Sequence, residues 1–160
     1  MWSDFAPIGH RRDAAPTKKQ NIFTAEDAED AEVLQVIINE TTGVIVDSGM
    51  KVHSTLGPGL LEGAYEACLA YELRKRGLEV LVQHPLPIQY DGVLIDVGYR
   101  VDLLVNETVI VELKAIAKVL PVHEAQLLSY LKLSGHKVGL LINFNVRYLK
   151  EGIRRMVNNI

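Results

Sequence analysis

The residue types best suited to chemistry stand close together in the middle of the chain. Asp102, Glu112 and Lys114 lie in two apolar runs, Tyr99-Arg100-Val101-Asp102-Leu103-Leu104-Val105 and Val109-Ile110-Val111-Glu112-Leu113-Lys114-Ala115. Side chains alternate across a strand. Strict alternation sends Val101, Leu103 and Val105 to one face and Arg100, Asp102 and Leu104 to the other. It likewise parts Val109, Val111 and Leu113 from Ile110, Glu112 and Lys114. If a tight hairpin pairs the runs, Asp102, Glu112 and Lys114 converge. An unpaired charge in such an apolar strand is costly. Two carboxylates beside one lysine suit a hard divalent cation with a lysine near an attacking water. The competing reading is structural, an ion pair of Glu112 with Lys114 or of Asp102 with Arg100, and spacing alone weighs the two about equally.

Two helical pairs bear on that balance. Gln126 and Tyr130 are four residues apart and share a helix face. Glu62 and Tyr65 lie three apart beside a glycine turn, Gly57-Pro58-Gly59. Taken singly, Gln126 and Tyr130 read as a solvated helix edge and Glu62 as a carboxylate matching a helix dipole. Other candidates are weaker. His53, His84, His123 and His136 show no metal-ligand spacing. Cys68 sits on an apolar helical stripe and reads as core. The glycine turn lacks the Gly-Lys-Ser/Thr of a phosphate loop. Arg147, Lys150, Arg154 and Arg155 form a basic edge that suits either a phosphate backbone or solvent.

The elements that must position these residues follow from periodicity. Leu34, Ile37, Ile38, Val44, Ile45, Val52 and Leu56 recur at helical spacing, a helix weakened by Gly43 and Gly49, which suit close packing. A second helix runs from about Leu60 to Arg76, its apolar stripe Leu61, Ala64, Tyr65, Cys68, Leu69 and Leu73, with Gly77 as its C-cap. The period then becomes two through Val80, Val82, Leu86, Ile88 and Tyr90, interrupted by Pro85 and Pro87, and Asp91-Gly92 is a hairpin signal. Strands Tyr99–Val105 and Thr108–Ala115 follow, joined at Asn106-Glu107. Pro121 opens a helix to about Ser134, Lys137–Phe144 is a buried strand, and Arg147–Val157 reads as a last amphipathic helix. The expected order is α-α-β-β-β-α-β-α, one α/β domain with a mixed sheet.

Composition agrees with a single globular domain plus a tail. The chain has 160 residues, 48% apolar and 23% charged, so disorder throughout is excluded. No apolar run approaches the roughly 20 residues of a membrane span. The first residues lack a secretory pattern, and the lone Cys68 excludes an internal disulfide. A reducing cytoplasm is the expected compartment. Residues 1–32, with the repeated Ala-Glu-Asp at 25–30, have little apolar surface to bury and read as a disordered acidic tail whose end could form a solvated first turn of the next helix. They carry the whole net charge of −3, which leaves residues 33–160 formally neutral. Neutrality argues against nucleic-acid binding by bulk charge alone; a second copy of the chain or a protein partner would then supply affinity.

Taken together, these residues resemble a family. Gly59-Leu60-Leu61-Glu62-Gly63-Ala64-Tyr65 is similar to the signature of the GxxExxY proteins, a group placed in the PD-(D/E)XK nuclease-like superfamily, and Gln126-Leu127-Leu128-Ser129-Tyr130 resembles the Q-x-x-x-Y motif of its recombination-exonuclease branch. The likeness covers roughly residues 34–158, with Val101 where the superfamily name has proline. It implies a restriction-endonuclease-like core, a mixed central sheet flanked by helices. It implies a metal-dependent nuclease hydrolysing phosphodiester bonds of nucleic acid, DNA ahead of RNA. Asp102 and Glu112 would ligate Mg²⁺ or Mn²⁺, with the Leu113 carbonyl as a further ligand and Glu62 binding metal directly or through water. Lys114 would orient or polarise the attacking water, and Gln126 and Tyr130 would position the substrate strand. The runner-up is a non-catalytic module of the same fold that binds nucleic acid or protein, and a purely structural adaptor comes third.

Overall fold

The computed structural model describes residues 24–159; of the segment read as a tail, residues 1–23 lie outside them. Helix α1 (Ala25–Leu56) begins earlier than its apolar period. Thr24 and Asp27 form a reciprocal capping box, Asp27 N–H donating to Thr24 Oγ1 at 3.2 Å and Thr24 N–H to Asp27 Oδ2 at 2.8 Å, which satisfies donors a helix start leaves open. The Ala-Glu-Asp repeat is therefore the solvated opening of α1. The helix stops at Gly57, whose φ of 67° suits glycine.

Helix α2 (Glu62–Lys75) follows after a short loop. Tyr65 controls that loop. Its hydroxyl donates to the Gly57 carbonyl at 2.6 Å and accepts the Leu60 N–H at 3.1 Å. Its ring, fully buried, stacks on Phe144 at 4.4 Å between centroids. Glu72 is buried; Lys51 at 2.8 Å ties it to α1, and Arg76 at 3.1 Å pairs with it within the end of α2. Of the expected stripe, Tyr65, Leu69 and Leu73 are buried, whereas Leu61, Ala64 and Cys68 are exposed. Cys68 is thus not core: it is exposed and lines a groove between α2 and the end of α1, with Val52, Thr55 and Leu56.

The strands are β1 (Val80–Pro85), β2 (Ile88–Tyr90), β3 (Val93–Ile95), β4 (Arg100–Val105), β5 (Val109–Lys114), β6 (Val138–Asn143) and β7 (Ile153–Val157). Asp91 and Gly92 both take positive φ in a two-residue hairpin between Tyr90 and Val93; Asn106 and Glu107 do so too, within a three-residue connection that pairs Val105 with Val109. β2 and β3 form a separate two-stranded ribbon, and the other five make a mixed sheet in the order β1-β4-β5-β6-β7. Only β5 and β6 run parallel, and helix α3 (Pro121–Ser134) supplies the crossover that such a pair needs. The N-terminal end of α3 is tied by the Leu120 N–H donating to His123 Nδ1 at 3.0 Å.

The expected final helix is corrected. Only α4 (Leu149–Gly152) is helical, and Ile153–Val157 form β7, antiparallel to β6 from Ile142↔Ile153 to Val138↔Val157. The cause is tertiary. β6 is buried along its whole length, so the backbone groups on its second edge need a partner, and the chain returns to provide it.

Two apolar clusters hold the layers. On one face of the sheet, Ile38, Ile45 and Val52 of α1 and Tyr65, Leu69 and Leu73 of α2 pack on Leu103, Val105, Val111, Leu113 and Leu140. On the other, Leu127 and Leu131 of α3 pack on Val101, Leu104, Ile110 and Leu141. A Cβ added at Gly139 would stand 2.8 Å from Leu127 Cδ1, so glycine sets the close approach of α3 to β6. Among the described residues no helix is long and apolar enough to cross a membrane.

The Tyr65 hydroxyl generates a prediction. Tyr65→Phe keeps the ring stack but strips the Gly57 carbonyl and Leu60 N–H of their partner, which should cost about 1–3 kcal/mol in urea unfolding. A variant as stable as the wild type would show that the hydroxyl does not hold the loop.

Candidate active site

Strands β4 and β5 pair from Val105↔Val109 to Leu103↔Val111 and then part. At the point of parting, Asp102 Oδ2 accepts the Leu113 N–H at 2.7 Å. A side chain has taken a donor that the next stretch of ladder would otherwise use. On the other edge of β4, Gln83 of β1 has a left-handed φ of 51°, and its amide donates to Asp102 Oδ1 at 3.1 Å and to Glu66 Oε2 at 2.6 Å.

Strict alternation fails at this point. Leu103 and Val105 face α1 and α2, but Val101 joins Leu104 in the cluster under α3. The irregular backbone around Gln83 and Asp102 turns β4 between Val101 and Leu103. Asp102 consequently stands between both layers, interacting with Glu62 and Glu66 on α2 and with Glu112 on β5. β5 itself alternates regularly, so Glu112 and Lys114 share a face.

The Lys114 strand end is firmly held. The Phe144 N–H donates to the Lys114 carbonyl at 2.8 Å. Buried Asn143 accepts the Ile116 N–H at 3.1 Å and donates to the Ile116 carbonyl at 2.9 Å. Glu62, at the first turn of α2, accepts the Ala115 N–H and feels Lys114 directly.

Neither ion pair of the structural reading forms. Arg100 donates to the Gln83 carbonyl at 3.1 Å rather than to Asp102, and Lys114 is in none of the direct ion pairs among the described residues. The carboxylates therefore crowd one another. Burial first, and then the Asp102 charge, push the Glu112 carboxyl up from an ordinary 4.5 to about 7. The Tyr99 hydroxyl, the Asp102 N–H and Lys114 oppose this without cancelling it. Glu62 is raised by burial, then by Asp102, and Glu66 by burial against the Gln83 hydrogen bond.

The aromatic wall comes from α3 and the start of β4. Tyr99 donates to Glu112 Oε1 at 3.1 Å, and its ring stacks on Tyr130 with centroids 3.5 Å apart. Burial and the hydrogen bond with Tyr130 raise the Tyr99 phenol far above its usual range, so it remains a donor. Tyr130 thus reaches the carboxylates through Tyr99. Gln126, one turn earlier, is exposed and hydrogen-bonds to no described residue. The fold therefore brings Asp102, Glu112, Lys114 and Glu62 together, attaches Tyr130 at one remove, and leaves Gln126 at the rim.

Three further members were not singled out from sequence. Glu66 had a legible signal, since it lies four residues after Glu62 on one helix face. Gln83 and Tyr99 had none, because their roles depend on the β1–β4 register and on where α3 packs.

The donor set fits a hard divalent cation in kind: clustered carboxylate oxygens whose negative charge no direct ion pair among the described residues offsets. Each Asp102 oxygen accepts one hydrogen bond and keeps a lone pair for a ligand. Among the described residues no three Asp, Glu, His or Cys side chains stand close enough to hold a metal ion together, so binding would draw the carboxylates inward.

A family model described as the PD-(D/E)XK nuclease superfamily matches residues 39–156. No curated protein matches the chain, and no solved structure does.

The raised Glu112 carboxyl sets the sign of a pH effect. Its folded pKa of about 7 exceeds the ordinary 4.5, so the folded state holds the proton more tightly. Its contribution favours folding below about 4.5 and is lost as pH climbs to about 7. Half-buried His136, its pKa lowered by burial, works in the opposite direction below its ordinary 6.5, so the comparison must be between variants. In metal-free urea unfolding, Glu112→Gln should be more stable than wild type at pH 8 by on the order of 2 kcal/mol, with little difference near pH 4.5. Equal stability at pH 8 would show that Glu112 carries no repulsive charge.

Proposed function

The chain belongs to the PD-(D/E)XK nuclease superfamily, and from that premise we propose that it is a metal-dependent nuclease that hydrolyses phosphodiester bonds of nucleic acid, DNA ahead of RNA. The observation that carries this reading is the set Asp102, Glu112 and Lys114, whose charges converge where β4 and β5 part and pair in no direct salt bridge among the described residues. The membership of the chain in the smaller GxxExxY group belongs to the same proposal and rests on residues 59–65.

In this mechanism Asp102 and Glu112 would hold Mg²⁺ or Mn²⁺, with Glu62 on α2 and the Leu113 carbonyl on β5 as further ligands. When bound, the cation offsets charge on the scissile phosphate and lowers the pKa of water. Lys114, anchored through its own backbone, directs its ammonium at the attacking water and at the negative charge that grows in the transition state. Tyr99 orients the Glu112 carboxylate by donating to Oε1. Tyr130 and Gln126 line the α3 side and position the nucleic-acid strand, the tyrosine ring offering a face to a base.

A second reading, a module of the same fold that binds without cleaving, draws on the looseness of the carboxylate cluster. Cleavage separates the two. The test is a metal-titrated assay on single- and double-stranded DNA and RNA, alongside thermal unfolding with and without Mg²⁺ or Mn²⁺. Wild type should cleave and gain stability with metal. Asp102→Asn should lose both while folding normally, since asparagine can still accept the Leu113 N–H. Lys114→Ala should keep the metal-induced gain and lose about 10²–10³-fold in rate. A wild type indifferent to metal, with Asp102→Asn strongly destabilised, would make the charges structural.

A further inference from the structure

Helix α1 offers more apolar surface than its own domain covers. Every residue from 25 to 37 is exposed, including Val33, Leu34, Val36 and Ile37 at 54%, 40%, 50% and 42%. A helical arm of this length is marginal in water without packing, and its Val and Ile are indifferent helix formers. Farther along, Ile38, Ile45 and Val52 face the sheet, which leaves the opposite face to Val36, Gly43 and Met50, spaced by seven. Met50 is 41% exposed. The two glycines of the helix differ. A Cβ at Gly49 would meet Leu149 at 3.3 Å, whereas one at Gly43 would meet nothing within 4 Å. Gly43 therefore weakens α1 with no return inside the subunit. A glycine on an open helix face is what a close backbone crossing requires.

Charge selects the occupant. Residues 25–50 contain seven carboxylates and no lysine or arginine, which turns away a phosphate backbone. At the far end of the same face, Met50 and Ser54 border a groove of about 670 Å³ that Arg147, Tyr148 and Lys150 also line and that no carboxylate lines. The two ends of the face differ, one acidic and apolar and the other basic and apolar, while exposed Glu40 and Asp47 flank Gly43 and add a like-charge contact at the crossing that the paired ends must outweigh. Such a surface complements itself when turned about a two-fold axis.

We propose that the chain forms a dimer with a second copy through antiparallel α1 helices that cross at Gly43. Symmetry about Gly43 sets Val36 of each copy against Met50 of the other. It also lays Glu29 and Glu32 over the other copy's groove, near Arg147 and Lys150. A parallel pairing would instead put the acidic turns side by side. The dimer stands apart from the nuclease reading, and its test does not involve cleavage.

The test is sedimentation of the full 160-residue chain over a range of concentrations at low and high salt. Wild type should form a concentration-dependent dimer that salt weakens. Gly43→Glu and Val36→Asp, both on the open face, should each lower the association constant at least about tenfold. In dilute solution Gly43→Glu should melt no lower than wild type, because the lost glycine favours the lone helix. Glu29→Lys with Glu32→Lys should weaken association, as should Arg147→Glu with Lys150→Glu, and the four together should restore it in part. A wild type that stays monomeric, or a dimer untouched by Gly43→Glu, overturns the proposal. Uptake of a lysine-rich amphipathic peptide by a monomeric wild type would reassign the face to a foreign basic partner.

Discussion

The hydrogen bond from Leu113 N–H to Asp102 Oδ2, 2.7 Å long, is the constraint on which the candidate site depends. A regular antiparallel pair would continue past Leu103↔Val111, place Asp102 opposite Glu112 as a non-hydrogen-bonded pair and give the Leu113 N–H to the Val101 carbonyl. Here the Asp102 side chain takes that donor, so the strands separate with the Leu113 N–H still satisfied. The opening so made exposes Glu112 and Lys114 at the end of β5 and admits the first turn of α2 from one side and Tyr99 and Tyr130 from the other. Glu62, Glu66 and Glu112 all sense the Asp102 charge, so one residue sets both the geometry and the electrostatics.

Gathering carboxylates in this way is unfavourable for the protein alone. Burial and mutual repulsion raise the Glu62 and Glu112 carboxyls, and Lys114 offsets only part of the charge. The rest of the fold makes the arrangement tolerable. Apolar clusters grip the sheet from both faces, Asn143 closes the chain just after Lys114 through two bonds to Ile116, and the Lys51–Glu72 ion pair joins α1 to α2. Carboxylates with raised pKa gathered on a packed frame are the pattern that marks candidate functional sites.

How much of this was legible in the sequence depended on the range of each interaction. The tight Asn106-Glu107 turn and the alternation along β5 are local, and they sufficed to bring Asp102, Glu112 and Lys114 together. The Gly135 end of α3 and the Asp91-Gly92 turn were equally local. Val101 was misassigned because the turn in β4 depends on Gln83, nineteen positions from Asp102 in the chain. Ile153–Val157 read as helix because Arg154 and Arg155 beside Ile153 and Met156 fit a short helical stripe, and only the uncovered edge of β6 decides for a strand. Cys68 and Leu61 matched an apolar stripe, but α1 meets α2 across an open groove and leaves Cys68 exposed. Each miss was decided by how elements distant in sequence pack.

The run Gly59-Leu60-Leu61-Glu62-Gly63-Ala64-Tyr65 shows how a short motif can be a piece of mechanics. Gly59 has a φ of 102°, a conformation that other residues reach only at a cost, and it lets the loop turn tightly into α2. Tyr65, one turn into the helix, reaches back to the Gly57 carbonyl and the Leu60 N–H, while its ring is clamped on Phe144, the residue whose N–H binds the Lys114 carbonyl. Between glycine and tyrosine, Glu62 has little freedom in where its Cα lies. The spacing is therefore set from both ends, by a turn that only glycine accommodates well and by the three-residue reach of one helical turn. Through Phe144, the anchor of Glu62 and the anchor of Lys114 are one assembly, so the carboxylate on α2 and the lysine on β5 keep a common frame although separate elements carry them.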